Sequence, residues 1–275
     1  MAIITLSTDI GQQDYIVGAI KGQLISQNTS FNIIDITHFL SRNNYPQAAY
    51  ICTNAFKYYP VGTFHIVILN FFDTAVKHVL VAKFNGQYII CPDNGIITLI
   101  AGEKPKEIAK LALQDNGTLL SRTAIIAKAI DYIDKNNNLI VATDEPVSIV
   151  ETYPLKATVG DDWIEGQILF IDNFENVVIN ITKSEFEEHR RGRKFIILFS
   201  RNEKINKISE NYANAPEGDN LAWFNSAGYL EIAVNKGNIA SLFGLQGYHE
   251  KMNKTGNVKQ NNWFYQTVKI FFEGK

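Results

Sequence analysis

The sequence predicts an α/β domain followed by a β-barrel domain, and three observations support that fold class. The 275 residues are enough for one large domain or two modest ones. Up to about residue 150, β-branched apolar runs alternate with segments of helical spacing, which is typical of a mostly parallel sheet with flanking helices. Beyond residue 158, short strands alternate with turn clusters, which is typical of a small antiparallel barrel or sandwich. We predict an α/β domain at 1–152, a linker at 153–158 and a β-barrel domain at 159–275.

The first domain is predicted to open with a strand, a loop and a helix. Residues 3–8 form an apolar, β-branched run, and helical spacing begins near Asp14. Asp9 and Asp14 therefore lie in the loop at the carboxyl end of the strand, where open α/β sheets bind ligands. The loop lacks the glycine patterns of phosphate-binding sites. A carboxylate there suits neutral donors such as ribose hydroxyls, and an equal alternative is that Asp9 caps the following helix.

The remaining elements of the first domain follow from the same two periodicities. We predict strands at residues 32–38, 64–69, 79–84 and 88–91, and helices at residues 46–55 and 121–133. Asn85-Gly86 joins two of these strands, and Asn-Gly between apolar runs is a strong signal of a β-hairpin. The segment from Pro92 to Gly95 is typical of a turn.

The second domain is predicted to consist mainly of short strands. They are expected at residues 166–171, 176–181, 194–199, 221–225, 229–234 and 263–272. The charged run from Glu185 to Lys194 indicates a solvated helix end, and the polar residues 253–262 indicate an exposed loop.

Charge and cysteine content argue against several classes of protein. A net charge of −2 gives no electrostatic reason to expect nucleic acid or an anionic membrane as a partner. The sequence has no apolar run long enough to span a bilayer and no signal-peptide pattern, so we expect a cytoplasmic protein. Cys52 and Cys91 lie in apolar contexts and are expected to be buried free thiols. The five histidines lack metal-ligand spacing, so no metal is expected.

Motifs in a characteristic order run along nearly the whole chain. They lie at residues 5–11 with Asp14, at 34–38, 92–95, 171–181, 215–218 and 225–238. Residues 171–181 are similar to the pattern IDxFGNVVTNI, and the last two stretches are similar to PEG…NSxGYLEIAVNxGN. Each motif is weak alone, but together they resemble the S-adenosylmethionine (SAM) hydroxide adenosyltransferase family, which includes the SAM-dependent fluorinases and chlorinases.

The resemblance implies an N-terminal α/β domain, a C-terminal β-barrel and a homotrimer with nucleoside sites between subunits. It implies that Asp9 holds the ribose hydroxyls, in agreement with the chemistry of its loop. Asn176 and the nearby backbone would read the adenine, with Phe174 walling the pocket, while Asn225 and Ser226 would hold the amino-acid end. The other predicted substrate-binding residues are Asp14, Asp172 and Ala227. No cofactor is expected, because SAM is the substrate.

The sequence departs from the family pattern at the catalytic positions. The resemblance implies catalysis by an Asp and an Arg from a VDPGVGTxR segment and by a His from TFHGRD. The first segment falls on residues 69–77, with Asn70 at the Asp position and Lys77 at the Arg position. The second falls around residues 121–124, where the sequence has no histidine. A neutral amide cannot act as a general base, and Lys lacks the planar fork of Arg.

A substitute set of catalytic residues is one interpretation of the changed segment. Asp73, Lys77 and His78 are close together in sequence, although an ordinary polar loop is the simpler interpretation. We therefore predict Asn70, Lys77 and His78 as the residues at or near the catalytic positions.

Two functional hypotheses follow. The first is hydrolysis of SAM to adenosine and L-methionine, by attack of water or hydroxide on the ribose carbon that bears the sulfonium. The second is a catalytically degenerate homologue that binds SAM, adenosine or a related nucleoside without turnover. Halogenation is a distant third, because it needs a small dry halide pocket and the loop at residues 70–74 has no close resemblance to that of the halogenases.

Overall fold

The computed structural model describes residues 2–71, 77–113, 117–139, 147–199, 203–243 and 266–274. The chain divides into two compact units, Met1–Pro154 and Leu155–Lys275. Each unit has its own buried apolar core.

The first unit contains a six-stranded sheet and four helices. The strands are β1 (Ile3–Thr8), β2 (Asn32–Thr37), β3 (Phe64–Ile68), β4 (His78–Phe84), β5 (Gln87–Pro92) and β6 (Glu107–Ala112). The helices are α1 (Ile16–Gln27), α2 (Tyr45–Phe56), α3 (Ile96–Ala101) and α4 (Leu119–Asn136). The strand order is β2-β1-β3-β5-β4-β6.

Strand direction in this sheet brings several strand ends to one edge. Strands β2, β1, β3 and β5 pair in parallel, whereas β4 runs antiparallel to β5 and β6. The carboxyl ends of β1, β3 and β5 therefore share one edge with the amino end of β4, and we call it the carboxyl edge. The predicted α/β domain is confirmed, with a mixed sheet. The predicted hairpin is also confirmed, because Asn85 and Gly86 take the left-handed φ values of 50° and 76° that a two-residue turn requires.

Helices cover both faces of the sheet. On one face, Ile20 of α1 and Ile130 of α4 pack with Ile4 and Leu6 of β1. On the other face, α2 and α3 pack against residues such as Val67 of β3. Alternate strand residues therefore enter opposite cores, which explains why these strands are apolar throughout. Strand β6 is not among the predicted strands, because its sequence is rich in Glu, Ala and Lys, which are depleted in strands.

The second unit is an antiparallel sheet with two short helices. Its strands are β7 (Thr158–Val159), β8 (Trp163–Ile171), β9 (Val177–Thr182), β10 (Phe195–Phe199), β11 (Glu203–Ile205), β12 (Asn220–Phe224), β13 (Tyr229–Val234) and β14 (Thr267–Phe272). The helices are α5 (Lys183–Arg190), α6 (Ile239–Leu242) and a single 3-10 turn at Tyr212–Asn214. The order is β11-β10-β14-β8-β9-β13-β12, and β7 pairs with β8.

The ends of this strand order approach each other, as in a nearly closed barrel. The amide of Ser209, which follows β11, donates to the carbonyl of Ala222 in β12 at 2.7 Å. The predicted antiparallel barrel is thus confirmed. The charged run after β9 forms α5, which begins with a capping box between Thr182 and Glu185 and buries Phe186 in the barrel core. The predicted loop at 253–262 and the start of the predicted strand at 263–265 lie outside the described residues.

Two expectations from composition can be compared with the described part of the chain. Cys52 and Cys91 are buried free thiols, as predicted, and burial raises the pKa of the Cys52 thiol to about 12. Among the described residues, no helix is long and apolar enough to cross a membrane.

Candidate functional site

Asp9 lies at the carboxyl edge, directly after β1. Its side chain is 7% exposed. Its Oδ2 accepts hydrogen bonds from the backbone N–H of Asn70 at 2.9 Å and from Arg42 Nε at 3.1 Å. Among the described residues, no donor reaches Oδ1, so this oxygen retains its capacity to accept from a ligand hydroxyl. We call Asp9, Arg42 and Asn70 the edge cluster.

The alternative role of Asp9 as a helix cap is wrong. Helix α1 begins at Ile16, and the side chain at its start is that of Asp14, whose Oδ1 accepts from the Ile16 N–H at 2.9 Å. Asp14, one of the predicted substrate-binding residues, thus already has a local structural partner on one oxygen. Asp9 instead ties the end of β1 to the end of β3.

Asn70 supports Asp9 through its backbone. Its φ of 49° is left-handed, a conformation that Asn tolerates better than most residues. Its side-chain Nδ2 donates to the carbonyl of Arg42 at 2.6 Å and to the Tyr45 hydroxyl at 3.2 Å. The residue at the family's Asp position is therefore hydrogen-bonded to the segment before α2, and its amide has no basic site.

His78 begins β4 at the carboxyl edge and faces a carboxylate. Its Nε2 lies 2.8 Å from Asp93 Oδ2, just beyond β5. The other oxygen of Asp93 accepts from the Val150 N–H at 2.7 Å, and Lys110 Nζ lies 3.6 Å from Oδ2. Lys77 is exposed, and its carbonyl accepts from the Leu113 N–H at 2.8 Å. Asp73, which the sequence suggested as a substitute catalytic residue together with Lys77 and His78, lies outside the described residues.

The segment aligned with the family's histidine forms the first turn of α4. Thr118 caps this helix by accepting from the Ser121 N–H. Arg122 is buried, and its guanidinium carbon lies 5.7 Å from the ring centre of Phe71, which follows Asn70. A cation at the carboxyl edge was not predicted from sequence. Its only sequence signal is an arginine in an otherwise apolar helical stripe.

In the second unit, the loop after β8 is organised by Asp172. Its Oδ1 accepts from the backbone N–H groups of Phe174 at 2.9 Å and Asn176 at 2.8 Å. Phe174 projects from this loop with 75% exposure, so its ring is accessible from solvent. Glu175 has a left-handed φ of 62° at the position where the family pattern has Gly.

The turn between β12 and β13 is organised in a similar way by Asn225. Its Oδ1 accepts from the backbone N–H groups of Ala227 at 3.0 Å and Tyr229 at 3.2 Å. Ser226 is exposed at the tip of this turn. Both predicted ligand-binding loops of the second unit are therefore held by a side chain that is itself a predicted site residue.

A buried carboxylate joins the two loops. Glu231 on β13 is 4% exposed and accepts four side-chain hydrogen bonds. The donors are Asn176 Nδ2 at 3.1 Å, Tyr212 Oη at 3.0 Å, Trp223 Nε1 at 2.9 Å and Asn225 Nδ2 at 3.1 Å. Asn176 Nδ2 also lies 3.0 Å from Asp172 Oδ2 and contacts the Tyr212 hydroxyl. These six residues form the Glu231 network.

The Glu231 network has a clear electrostatic character. It contains two carboxylates, those of Asp172 and Glu231, and its hydrogen-bond donors are neutral. Burial and the nearby Glu231 carboxylate raise the pKa of Tyr212 far above its ordinary value, so its hydroxyl stays a donor. Sequence reasoning missed Glu231, Tyr212 and Trp223. The available signal was a glutamate inside the apolar run from Leu230 to Val234, since a charge there must be paired or hydrogen-bonded.

The predicted site residues thus form two local groups, one in each unit. Asp9 and Asn70 meet at the carboxyl edge, and His78 lies farther along the same edge. Asp172, Asn176 and Asn225 meet in the Glu231 network. Within the described ranges, no group of three or more His, Cys, Asp or Glu residues is arranged to hold a metal ion.

The chain belongs to the SAM hydroxide adenosyltransferase family. Residues 4–139 match the model of the family's N-terminal domain, and residues 166–250 match that of its C-terminal domain.

Curated relatives extend over most of the chain. A (R)-S-adenosyl-L-methionine hydrolase from Methanocaldococcus jannaschii is 28% identical over 88% of this chain and 92% of its own length. A protein of the same name from Thermus thermophilus is 24% identical, and the alignment covers 87% of this chain and 94% of that protein.

Solved structures share the fold. An uncharacterized conserved protein from Thermotoga maritima has a TM-score of 0.76 at 23% identity, covering 98% of this chain and 100% of that one. A conserved hypothetical protein from Thermus thermophilus has a TM-score of 0.69 at 21% identity, covering 99% and 100%.

Proposed function

We propose that this protein hydrolyses SAM to adenosine and L-methionine, with water attacking the ribose carbon that bears the sulfonium. The observation that supports it most is that curated relatives named (R)-S-adenosyl-L-methionine hydrolase match 87–88% of the chain. Family membership itself indicates a small-molecule nucleoside substrate. Because the name of these relatives specifies (R)-SAM, we also propose that the substrate of this protein is the SAM epimer with the R configuration at sulfur.

The arrangement of the edge cluster supports a role for Asp9 in binding the ribose. One carboxylate oxygen is fixed by Asn70 and Arg42, while Oδ1 accepts nothing from the described residues. The two neighbouring hydroxyls of a ribose are neutral donors, so this carboxylate oxygen can accept a hydrogen bond from them without charge repulsion. Asp14 is proposed to bind beside it in the same loop.

The Glu231 network supports the proposed roles of the second unit. Asn176 is proposed to position the loop that reads the adenine, since its side-chain amide is already bonded to two carboxylates. Phe174 is proposed to cover the base, because an exposed aromatic ring on a fixed loop can stack at low entropic cost. The amino-acid end of SAM is proposed to be held by Asn225, Ser226 and Ala227. Asp172 is proposed to fix the loop after β8 that carries Phe174 and Asn176.

Hydrolysis makes modest chemical demands on this site. The sulfonium leaves as a neutral thioether, so no acid has to protonate the leaving group. The protein must orient the water, remove its proton and exclude bulk solvent. We propose that no metal or cofactor takes part, and that the protein acts as a homotrimer with its sites between subunits, as the family resemblance implies.

A second candidate function is binding of SAM or adenosine without turnover. The observation in its favour is that Asn70, at the family's Asp position, uses its side-chain amide to hold Arg42 and Tyr45. Lys77 and the first turn of α4 also differ from the family pattern.

One experiment separates the two functions. Pure protein is incubated with the R and S epimers of SAM between pH 6 and 9, and adenosine and methionine are quantified by chromatography. Hydrolysis predicts equimolar products above the protein-free rate, with the R epimer preferred. Binding alone predicts no product but a calorimetric signal with SAM or adenosine. If neither ligand binds, both functions are excluded. Light scattering of the same sample tests the trimer.

A further inference from the structure

The pair formed by His78 and Asp93 has the geometry of a base with its orienting carboxylate. We infer that His78, held by Asp93, takes the proton from the attacking water in place of the missing family residues. This inference rests on the proposed hydrolysis of SAM. It goes further because it assigns the proton-transfer step to a residue pair, and Asp93 has no part in the family's catalytic pattern given above.

The carboxylate fixes which nitrogen of His78 carries the proton. An ionised Asp93 can only accept, so His78 Nε2 donates to Oδ2 across the 2.8 Å contact. The lone pair of a neutral imidazole then lies on Nδ1, which becomes the basic nitrogen. This is the base-and-orienter arrangement that activates nucleophiles in many hydrolases.

Asp93 is itself held on several sides. Its Oδ1 accepts from the Val150 N–H at 2.7 Å, and its Oδ2 lies 3.6 Å from Lys110 Nζ. Both carboxylate oxygens of Asp93 therefore have a partner, Oδ1 the Val150 N–H and Oδ2 the His78 ring. Among the described residues, the charged groups around the pair are Lys110 on β6, which lies beside Asp93, and Lys77, which precedes His78.

Position along the sheet places the pair on the proposed substrate side. Asn94, next to Asp93, donates from Nδ2 to the carbonyl of Leu69 at 3.0 Å and to the Tyr45 hydroxyl at 3.2 Å. The same hydroxyl accepts from Asn70, so the pair is linked to the edge cluster. Three strand spacings separate β1 from β4, which is about 14 Å at about 4.8 Å per strand. Two side chains, a ribose and a water molecule together span that distance.

The proposed step balances without a further reactant. The water oxygen forms a bond to the ribose carbon while the bond from that carbon to sulfur breaks. The electron pair stays on sulfur, which leaves as the thioether of methionine. One proton of the water passes to His78 Nδ1 and then to solvent, and the other stays on the new 5′ hydroxyl of adenosine. His78 is 28% exposed, so bulk water can accept that proton after the product leaves.

The test combines substitution, pH dependence and chemical rescue. We expect His78→Gln to bind SAM as the wild type does and to lose about 100-fold or more in kcat, the usual range for a general base. The pH profile of kcat in His78→Gln should differ in shape from that of the wild type, because the variant lacks the imidazole. Asp93→Asn should also lower kcat, because it removes the carboxylate that orients His78.

Chemical rescue tests the imidazole directly. Added imidazole should restore part of the rate of His78→Ala. His189→Gln, in α5, serves as the matched control.

The outcomes separate this inference from the proposed function. If wild-type protein forms adenosine and His78→Gln keeps its rate, the inference is overturned while the function stands. If His78→Gln and His78→Ala lose SAM binding together with activity, and imidazole rescues neither, His78 is structural and the inference is again overturned. If the wild type binds SAM and forms no adenosine, the proposed function fails and the inference fails with it.

Discussion

The edge cluster and the Glu231 network hold their predicted ligand residues in different ways. In the edge cluster, Asp9 is fixed by one backbone N–H and by Arg42, whose side chain is 64% exposed. In the Glu231 network, a buried carboxylate accepts from three separate segments, which carry Asn176, Tyr212, and the pair Trp223 and Asn225. Changing a residue that is bonded to four partners leaves several donors without an acceptor, which is costly. The network residues Asp172, Asn176 and Asn225 match the family patterns, whereas the catalytic positions in the first unit are changed.

The largest expected effect comes from removing the centre of the network. Glu231→Ala removes the acceptor of four side-chain donors, of which Asn176 keeps Asp172 as a partner, so we expect the free energy of unfolding to fall by about 3 kcal/mol. Glu231→Gln should cost less, because one amide oxygen still accepts. Urea unfolding measures both. The matched control is Glu203→Ala, which removes an exposed glutamate bonded to Asn220 and should change stability by less than about 0.5 kcal/mol. Equal losses in the two alanine variants would show that Glu231 stabilises the fold no more than an exposed glutamate does.

Asp9→Ala tests the edge cluster by affinity instead of stability. Loss of a carboxylate that accepts from ribose hydroxyls should weaken SAM binding by about 10- to 100-fold, the equivalent of about 1.5–3 kcal/mol. Arg42→Gln should weaken it only a few-fold, because an ion pair whose arginine is 64% exposed contributes about 1 kcal/mol or less. Isothermal calorimetry with SAM gives both values. Unchanged affinity in Asp9→Ala would remove Asp9 from the site.

Acid should destabilise the first unit through His65. This ring is fully buried in β3, stacked at 3.7 Å on Phe56, with Nδ1 2.8 Å from Thr5 Oγ1. Burial lowers the pKa of His65 to about 4. In the unfolded chain the pKa is about 6.5, so between these values only the unfolded state binds the proton. The stability present near neutral pH is therefore lost as pH falls.

The expected loss at pH 5 is about 2 kcal/mol. Thermal unfolding of the wild type and of His65→Gln at pH 7.5 and pH 5 measures it, because the substitution should abolish this part of the pH dependence. His189→Gln is the control and should retain the wild-type dependence. A slope that persists unchanged in His65→Gln would assign the acid sensitivity to other groups.

The smallest expected effect lies in the loop after β8. Glu175 holds a left-handed φ of 62°, which costs a residue with a Cβ about 1 kcal/mol, and the family pattern has Gly there. Glu175→Gly should raise the melting temperature by about 2–4 °C and leave SAM affinity near the wild-type value. A lower melting temperature would show that contacts of the Glu175 side chain outweigh the backbone strain.

Much of the fold and part of the site could be predicted from sequence. The change from strand to helix periodicity located Asp9 at the carboxyl edge, because a polar residue that directly follows a buried strand and precedes a helix lies in the loop at that end of the sheet. Asn225 and Asn176 were found through motifs, which record local sequence. Their common partner Glu231 was not found, because a motif does not show which side chains meet in the fold. Glu231 lies 55 residues from Asn176 and 6 residues from Asn225 along the chain. Pairing of His78 with Asp93 likewise depends on β4 lying beside β5.

The most direct test of the central claim is hydrolysis of SAM in water enriched in oxygen-18. Our account predicts adenosine that carries the heavy oxygen at its 5′ hydroxyl, formed together with unlabelled methionine and faster than in protein-free samples. Adenosine formed at the protein-free rate, or without the label, would contradict it.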